Sequence, residues 1–553
     1  MTWSVPCDPG VVATILALTA AAALIARTGL SLRAYSTDHY VHRSIIGLIR
    51  LGGHRFLRTR EDFLYNDTMT YPQLLHWALS FLPEARLDGV HRWLTPLAWS
   101  GATAGFLMFS AGLQSRATDG AEDPARALLV AGLLFVLAPY PYDVRSPRTR
   151  GLSGRGVGTL AGQLYLYAVL WHGIFGGLAA LGVASGLMVF ILLSSQFTLQ
   201  FVLFSAPVLT VLTGDPVWLA PPVAGLAVFC LAAPGLARRY LAGQIRHKTF
   251  IARHQIRPLV LRLRESIWRD WVWDFWRPRR ERLAYIYFNP ILRVVAGLPA
   301  VTVCMAAWVG GAGLPLLSSF DGSDPHDWLG ASVLASLALF LATSLRWTRF
   351  LGEPERYVEF ALGPACLLAA SLLGDRPLAL GALLAVSAGL LLFERRVLGA
   401  SFRRGTYLSP DDALRLDAAL TALESASRGP LRLLSNDRQL ARRFLSPDRK
   451  VFHGQNNSPW CGPFHFEEIH TEDMSIEPWA LAPIIRTFNI DVLLLRRRNQ
   501  PGEAQVLDDP QLQCELVVRV GPVELFKVSK RSPEARRNGA PPPTAAARAP
   551  GSG

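Results

Sequence analysis

Apolar runs approaching twenty residues recur along the 553-residue chain, and runs of that length and number fit helices that cross a lipid bilayer. The clearest cover 11–30, 93–113, 127–139, 217–237, 294–317, 329–345, 358–373 and 378–393. Half of the residues are hydrophobic and only 18% are charged, with a mean hydropathy of +0.25. That balance excludes a disordered chain and an ordinary soluble domain. The pattern predicts an all-α polytopic membrane bundle over residues 1–400, followed by a small soluble piece. No Lys or Arg precedes the first run, so it reads as an uncleaved span rather than a signal peptide.

The stretch 159–214 holds three apolar blocks, separated by Gly176-Gly177 and by Ser194-Ser195-Gln196. Two long helices there give about ten spans, and three short ones about eleven. The choice fixes the side of everything that follows. With two helices the Arg-rich stretch 238–282 falls in the cytoplasm, as the positive-inside rule prefers. That rule is weakened by a helical stripe of Ile256, Leu259, Val260, Leu263, Ile267 and Trp271 among the arginines. Such a helix suits a bilayer surface and would bind anionic membrane lipids, while a solvated basic loop is an equal reading. The net charge of 56 minus 42, or +14, is spent on the membrane in either case, and no nucleic-acid partner is expected.

Beyond residue 400 the hydropathy falls. Short β-rich runs (431–434, 451–452, 491–495) alternate with helical ones (437–444, 480–488), and 515–520 and 523–528 flank Gly521-Pro522 as a hairpin. This predicts a small α/β domain over 401–528 and a disordered Pro-, Ala- and Arg-rich tail over 529–553. Of six scattered cysteines, only Cys461 and Cys514 share the soluble region, where a bridge would require an oxidising compartment.

The chemistry concentrates in a polar segment of about sixty residues, 31–92, longer than a connector needs to be. It opens with Asp38-His39-Tyr40-Val41-His42-Arg43, then an amphipathic stretch, 44–51, then Gly52-Gly53-His54-Arg55. Glu61-Asp62, Asn66-Asp67 and Tyr71-Pro72-Gln73-Leu74-Leu75-His76 follow. A carboxylate just past a membrane exit can take the proton of an attacking hydroxyl, and nearby Arg or His can neutralise a departing phosphate. His42, one helical turn after Asp38, can orient or tune it. Arg145, Arg148, Arg150 and Arg155, set among Gly151 to Gly158, form a loop able to grip phosphate oxygens.

This arrangement resembles the GT-C superfamily of membrane glycosyltransferases, which use polyprenyl-phosphate-linked sugars. Asp38, the run Ile49-Arg50-Leu51-Gly52-Gly53 and the run Tyr71 to His76 stand where that family carries its catalytic Asp, an Ile-Arg-x-Gly-Gly-like turn and a Tyr-Pro-x-Leu-x-His-like entry to the second span. The resemblance implies that Asp38 is the general base. It makes Glu61, Asp62 and Asp67 candidates for a second acidic position, which in some members helps to hold a divalent cation such as Mg or Mn. Arg356-Tyr357, ahead of a late span containing Pro364, resembles the family's Arg-Tyr pair beside the lipid phosphate on the outer face. With Arg145, Arg150, Arg155 and His76, the pair forms the candidate donor site; Glu355 reads as a surface partner of Arg356 or Arg349. An outward Arg356 favours the eleven-span reading.

The function implied is transfer of a sugar from a polyprenyl-phosphate donor to a glycan, lipid or protein acceptor outside a bacterial inner membrane. The rivals are a transporter or lipid flippase and a non-catalytic scaffold of the same architecture. A transporter would favour ionisable residues at membrane depth, whereas here they gather in loops.

Overall fold

The computed structural model describes residues 8–29, 37–64, 67–117, 124–142, 151–254, 290–311, 320, 322, 324–345, 347–398, 408–452, 460–471, 475–497 and 505–531. The chain divides into two units. The first comprises Met1–Arg60, Asn66–Thr406 and Gln455–Pro459, and the second Glu61–Tyr65, Tyr407–Gly454 and Trp460–Gly553.

The first unit is a helical bundle. Its first span, α1 (Pro9–Gly29), is followed by α2 (Thr37–Leu51), a two-residue ladder of β1 (Thr59–Arg60) with β2 (Asp67–Thr68), and α3 (Leu74–Ser80). The bundle continues through α4 (Glu84–Ala117), α5 (Pro124–Val136), α6 (Arg155–Phe175), α7 (Leu178–Ser194), α8 (Gln196–Thr213), α9 (Ala220–Ala232) and α10 (Pro234–His254). The stretch 159–214 therefore holds three helices. Gly176 and Gly177, both at positive φ, end α6, and the Ser195 hydroxyl caps α8 by accepting from Thr198 N–H.

Next come α11 (Pro290–Gly297), α12 (Pro299–Val309), α13 (Pro325–Ser344), the short α14 (Glu355–Val358), α15 (Leu362–Leu373) and α16 (Pro377–Phe393). The expected run 294–317 is not one straight helix. The chain bends by 100° between α11 and α12, where Pro299 cannot donate to the preceding turn. Residues 312–319, and the whole stripe 256–271, lie outside the described residues.

Among the described residues, five helices are long and apolar enough to cross a membrane: α1, α8, α13, Glu355–Leu373 and Pro377–Arg396. The bent pair makes six, and α5, α7 and α9 are shorter apolar helices. With the long α4 and α6 packed beside them, the described helices thread back and forth through the bundle. Leu178, Leu231 and Leu378 are more than 80% exposed, which suits helices whose outer faces meet lipid rather than water. Inside, small residues let helices approach closely. A Cβ on Gly162 would sit 2.3 Å from the Phe360 ring, and one on Gly363 2.3 Å from the Tyr167 hydroxyl. Phe360 stacks on Phe201 at 4.0 Å.

Contacts between helix ends agree with this threading. At one end, where α1 finishes and α16 finishes, Arg395 donates to the Thr28 hydroxyl. At the other, Arg116 at the finish of α4 lies 5.0 Å over Trp171 and 4.8 Å over Phe175 at the finish of α6.

The second unit carries α17 (Pro410–Ser425), capped by the Ser409 hydroxyl, and a five-stranded sheet in the order β4-β3-β5-β7-β6. These strands are β3 (Leu431–Ser435), β4 (Arg449–Val451), β5 (Val492–Arg496), β6 (Leu512–Val520) and β7 (Val523–Lys530). The first three are parallel, and the last two form the expected hairpin. Loop residues Glu61–Tyr65 belong to this unit: Val451 N–H donates to Asp62 O at 2.9 Å and Leu64 N–H to Val451 O at 3.2 Å. No disulfide joins Cys461 to Cys514. The tail beyond 531 lies outside the described residues.

Candidate functional site

Helix α2 buries Ile45, Ile46 and Ile49 and carries Asp38 in its first turn, where the helix dipole favours a carboxylate. Its register is locked by His39. Gly151, at φ +140°, brings its backbone so close that an added Cβ would lie 2.6 Å from His39 Cβ, and Leu152 N–H donates to His39 Nδ1 at 3.0 Å. An imidazole nitrogen that accepts carries no proton, so the proton sits on Nε2. Burial, then the charges of His91, Arg43 and His42, push His39 down to about 3.

Asp38 faces α6. Its Oδ2 lies 3.6 Å from Arg155 Nη2, and Arg155 Nη1 lies 3.9 Å from Glu353 Oε2. The same Glu353 oxygen is 3.9 Å from Arg356 Nε, and the Arg356 guanidinium lies 3.8 Å over the Phe197 ring. The result is a row of alternating charge, Asp38, Arg155, Glu353, Arg356, assembled from the starts of α2, α6 and α14. Its separations are ion-pair distances longer than good hydrogen bonds. Desolvation raises the Tyr71 hydroxyl, which also feels Arg155, Asp38 and Arg356. A third cation, Lys248 on α10, is close enough for Arg356 to depress it.

Behind Asp38 lies a pair of imidazoles. His42 Nδ1 and His76 Nε2 are 2.7 Å apart with their rings stacked. Burial lowers His42 to about 4 against the opposing pull of Asp38, and burial with His42 and Arg60 lowers His76 well below its ordinary value. Both rings are therefore neutral at pH 7 and share one N–H. These histidines make stability depend on pH. In the unfolded chain they titrate near about 6.5, whereas the folded His39 and His42 resist protonation down to about 3 and about 4. Their contribution is complete above about pH 6.5 and is lost as pH falls toward 4, because the unfolded state then binds more protons. A lower melting midpoint at pH 5 than at pH 7.5 is expected, with a smaller difference in His39→Asn; equal pH differences in parent and variant would contradict this.

The structure brings together Asp38, His42, His76, Arg155 and Arg356 with Tyr71 from the run 71–76, and it adds residues to which the sequence gave no role: Glu353, Arg60 and Lys248. Arg145 and Arg150 lie outside the described residues. Glu61 and Asp62 fall in the second unit, bonded to β4 through the Asp62 carbonyl. Asp67 pairs through its backbone with Arg60 in the small ladder. Tyr357 is fully buried, with its hydroxyl 3.5 Å from Leu351 O. Glu355 is not a surface residue: it is 1% exposed and is bonded by Arg293. Its place in the first turn of a span turns it into the bundle.

For a divalent cation, no three His, Cys, Asp or Glu side chains among the described residues come together as a ligand set. Between Asp38 and Glu353 stands Arg155, supplying the positive charge that an ion would bring.

No family model matches the chain, and no curated protein matches it. Among solved structures it is similar to ArnT from Cupriavidus metallidurans bound to undecaprenyl phosphate, with 13% identity and a TM-score of 0.48 over 93% of this chain and 97% of that one. It is also similar to apo ArnT from the same organism, with 12% identity and a TM-score of 0.47 over the same shares. The chemistry of the site rests on the residues described above, not on this likeness.

Proposed function

We propose that this integral membrane protein is a GT-C-type glycosyltransferase that moves a sugar from a polyprenyl-phosphate donor to a hydroxyl of a glycan, lipid or protein acceptor at the extracytoplasmic face. The observation that carries the reading is the placement of Asp38 against Arg155 and, through Glu353, Arg356, at the ends of spanning helices. Three cations, Arg155, Arg356 and Lys248, stand against two carboxylates, leaving a surplus positive charge suited to a phosphate.

In this scheme the acceptor oxygen attacks the anomeric carbon while Asp38 takes its proton. The bond from that carbon to the phosphate oxygen breaks, and its electron pair leaves with the polyprenyl phosphate. Arg356 and Arg155 stabilise the charge that develops there. A single displacement of this kind inverts the anomeric centre. His42, held by His76, stands beside Asp38 as a neutral ring and adds no positive charge that would compete with Arg155 for the carboxylate. In this scheme the lipid donor reaches the site laterally from the bilayer.

The test has two parts. In vesicles containing the full-length protein, polyprenyl-phosphate sugars are consumed and nucleotide sugars are not; the reverse preference would sink the proposal. Reporter fusions near residue 58 and after residue 398 are expected to lie on the extracytoplasmic side, and one between α4 and α5 on the cytoplasmic side. A cytoplasmic signal near residue 58 would place Asp38 on the wrong face.

A further inference from the structure

The turn that delivers Arg356 is folded around one carbonyl, that of Leu351. Lys248 Nζ donates to it at 3.2 Å and to Phe350 O at 3.3 Å. The Gln200 amide, oriented by its neighbours, donates to Leu351 O at 3.0 Å and accepts from Lys248 Nζ at 2.9 Å. The Tyr357 hydroxyl approaches the same carbonyl at 3.5 Å. Gly352 follows at φ +123°, Arg356 N–H donates to Glu353 O at 3.2 Å and Tyr357 N–H to Pro354 O at 3.1 Å. Side chains from α8, α10 and α14 thus converge on a turn of a few residues.

An ammonium has three N–H donors. All three of Lys248's are met by carbonyl oxygens, those of Phe350, Leu351 and the Gln200 side chain, so none is left for a ligand. We infer that Lys248 is a positioning residue: it ties α10 and α8 to the 350–357 turn, and so holds the Arg356 guanidinium over Phe197 and beside Glu353, where the lipid phosphate is received. The inference rests on the reading of Arg356 as a phosphate-binding residue. Burial and the nearby Arg356 charge bring Lys248 down to about 8, so at neutral pH it is still largely protonated and able to donate to all three oxygens. Loss of its side chain would leave buried carbonyls without a donor and free the turn to shift.

The experiment measures binding of undecaprenyl phosphate to the full-length protein in nanodiscs for the parent, Lys248→Met, Arg356→Gln, the double variant and Lys248→Arg, with melting midpoints confirming folding. Lys248→Met is expected to weaken binding about tenfold, and Arg356→Gln more strongly, as charge-assisted contacts to phosphate do. Acting through Arg356, Lys248→Met adds nothing further in the double variant, which binds within about twofold of Arg356→Gln. Lys248→Arg, which keeps charge and donors, recovers most of the binding. Effects that multiply in the double variant would mean that Lys248 touches the phosphate itself and would overturn the inference. Binding unchanged in Lys248→Met but lost in Arg356→Gln would overturn the inference alone. Binding unchanged in Arg356→Gln would overturn the phosphate reading of the site, and the inference with it.

Discussion

Asn in place of Asp38 is expected to lower sugar transfer by about 10³-fold, within the range that a positioned general base contributes, while the protein folds and melts as the parent does. The side chain is near-isosteric and about a third exposed, so the loss reads chemistry rather than packing. Asn cannot take the proton of the acceptor hydroxyl. It also removes the partner of Arg155, which leaves that guanidinium drawn toward Glu353 alone. Binding of the lipid phosphate is expected to stay within a few-fold of the parent, because Arg356 pairs with Glu353 and not with Asp38. A variant that transfers sugar at the parental rate would remove Asp38 from the mechanism.

The second large effect is expected at Arg155. Arg155→Met should lose about 10²–10³ in kcat/KM, the cost seen when a preorganised donor to developing negative charge is removed. Arg155 is the hinge of the charged row: it touches Asp38 on one side and Glu353 on the other, and it stands at the first residue of α6, where the helix dipole adds positive potential. Without it, two carboxylates face one another across the site. Arg155→Lys restores charge but not the two-sided fork, and should recover only part of the rate. A Met variant with parental kcat/KM would contradict this role.

The spans were legible in the sequence because length and hydrophobicity act locally. So was the i, i+4 relation of Asp38 and His42, since both sit on one face of an amphipathic helix. Even the ambiguity in 159–214 had its answer in local signals: the Gly176-Gly177 pair takes positive φ, and Ser195 caps the next helix. A glycine pair inside a membrane helix is tolerated often enough that the break could not be read from composition alone.

What could not be read were pairings between distant segments. Asp38 meets Arg155 across more than a hundred residues, and Glu353 belongs with Arg155 only once α6 and α14 start at the same end of the bundle. Lys248 sat in a stretch whose many arginines pointed to head groups, and nothing in that run marks the one ammonium that turns inward to Leu351. Glu355 looked like a surface acid because its neighbours are charged, yet its position on the helix directs it to Arg293. Charge type is visible in a sequence; the direction a side chain takes at the mouth of a bundle depends on packing from other spans.

The most direct test of the central claim is to follow, in proteoliposomes supplied with a polyprenyl-phosphate sugar and a hydroxyl acceptor, both the lipid phosphate released and the sugar transferred. The account predicts equal amounts of the two from the parent protein, with both lost in Asp38→Asn. Movement of the intact lipid-linked sugar across the bilayer, with no lipid phosphate released and no effect of Asp38→Asn, would contradict it and identify a transporter instead.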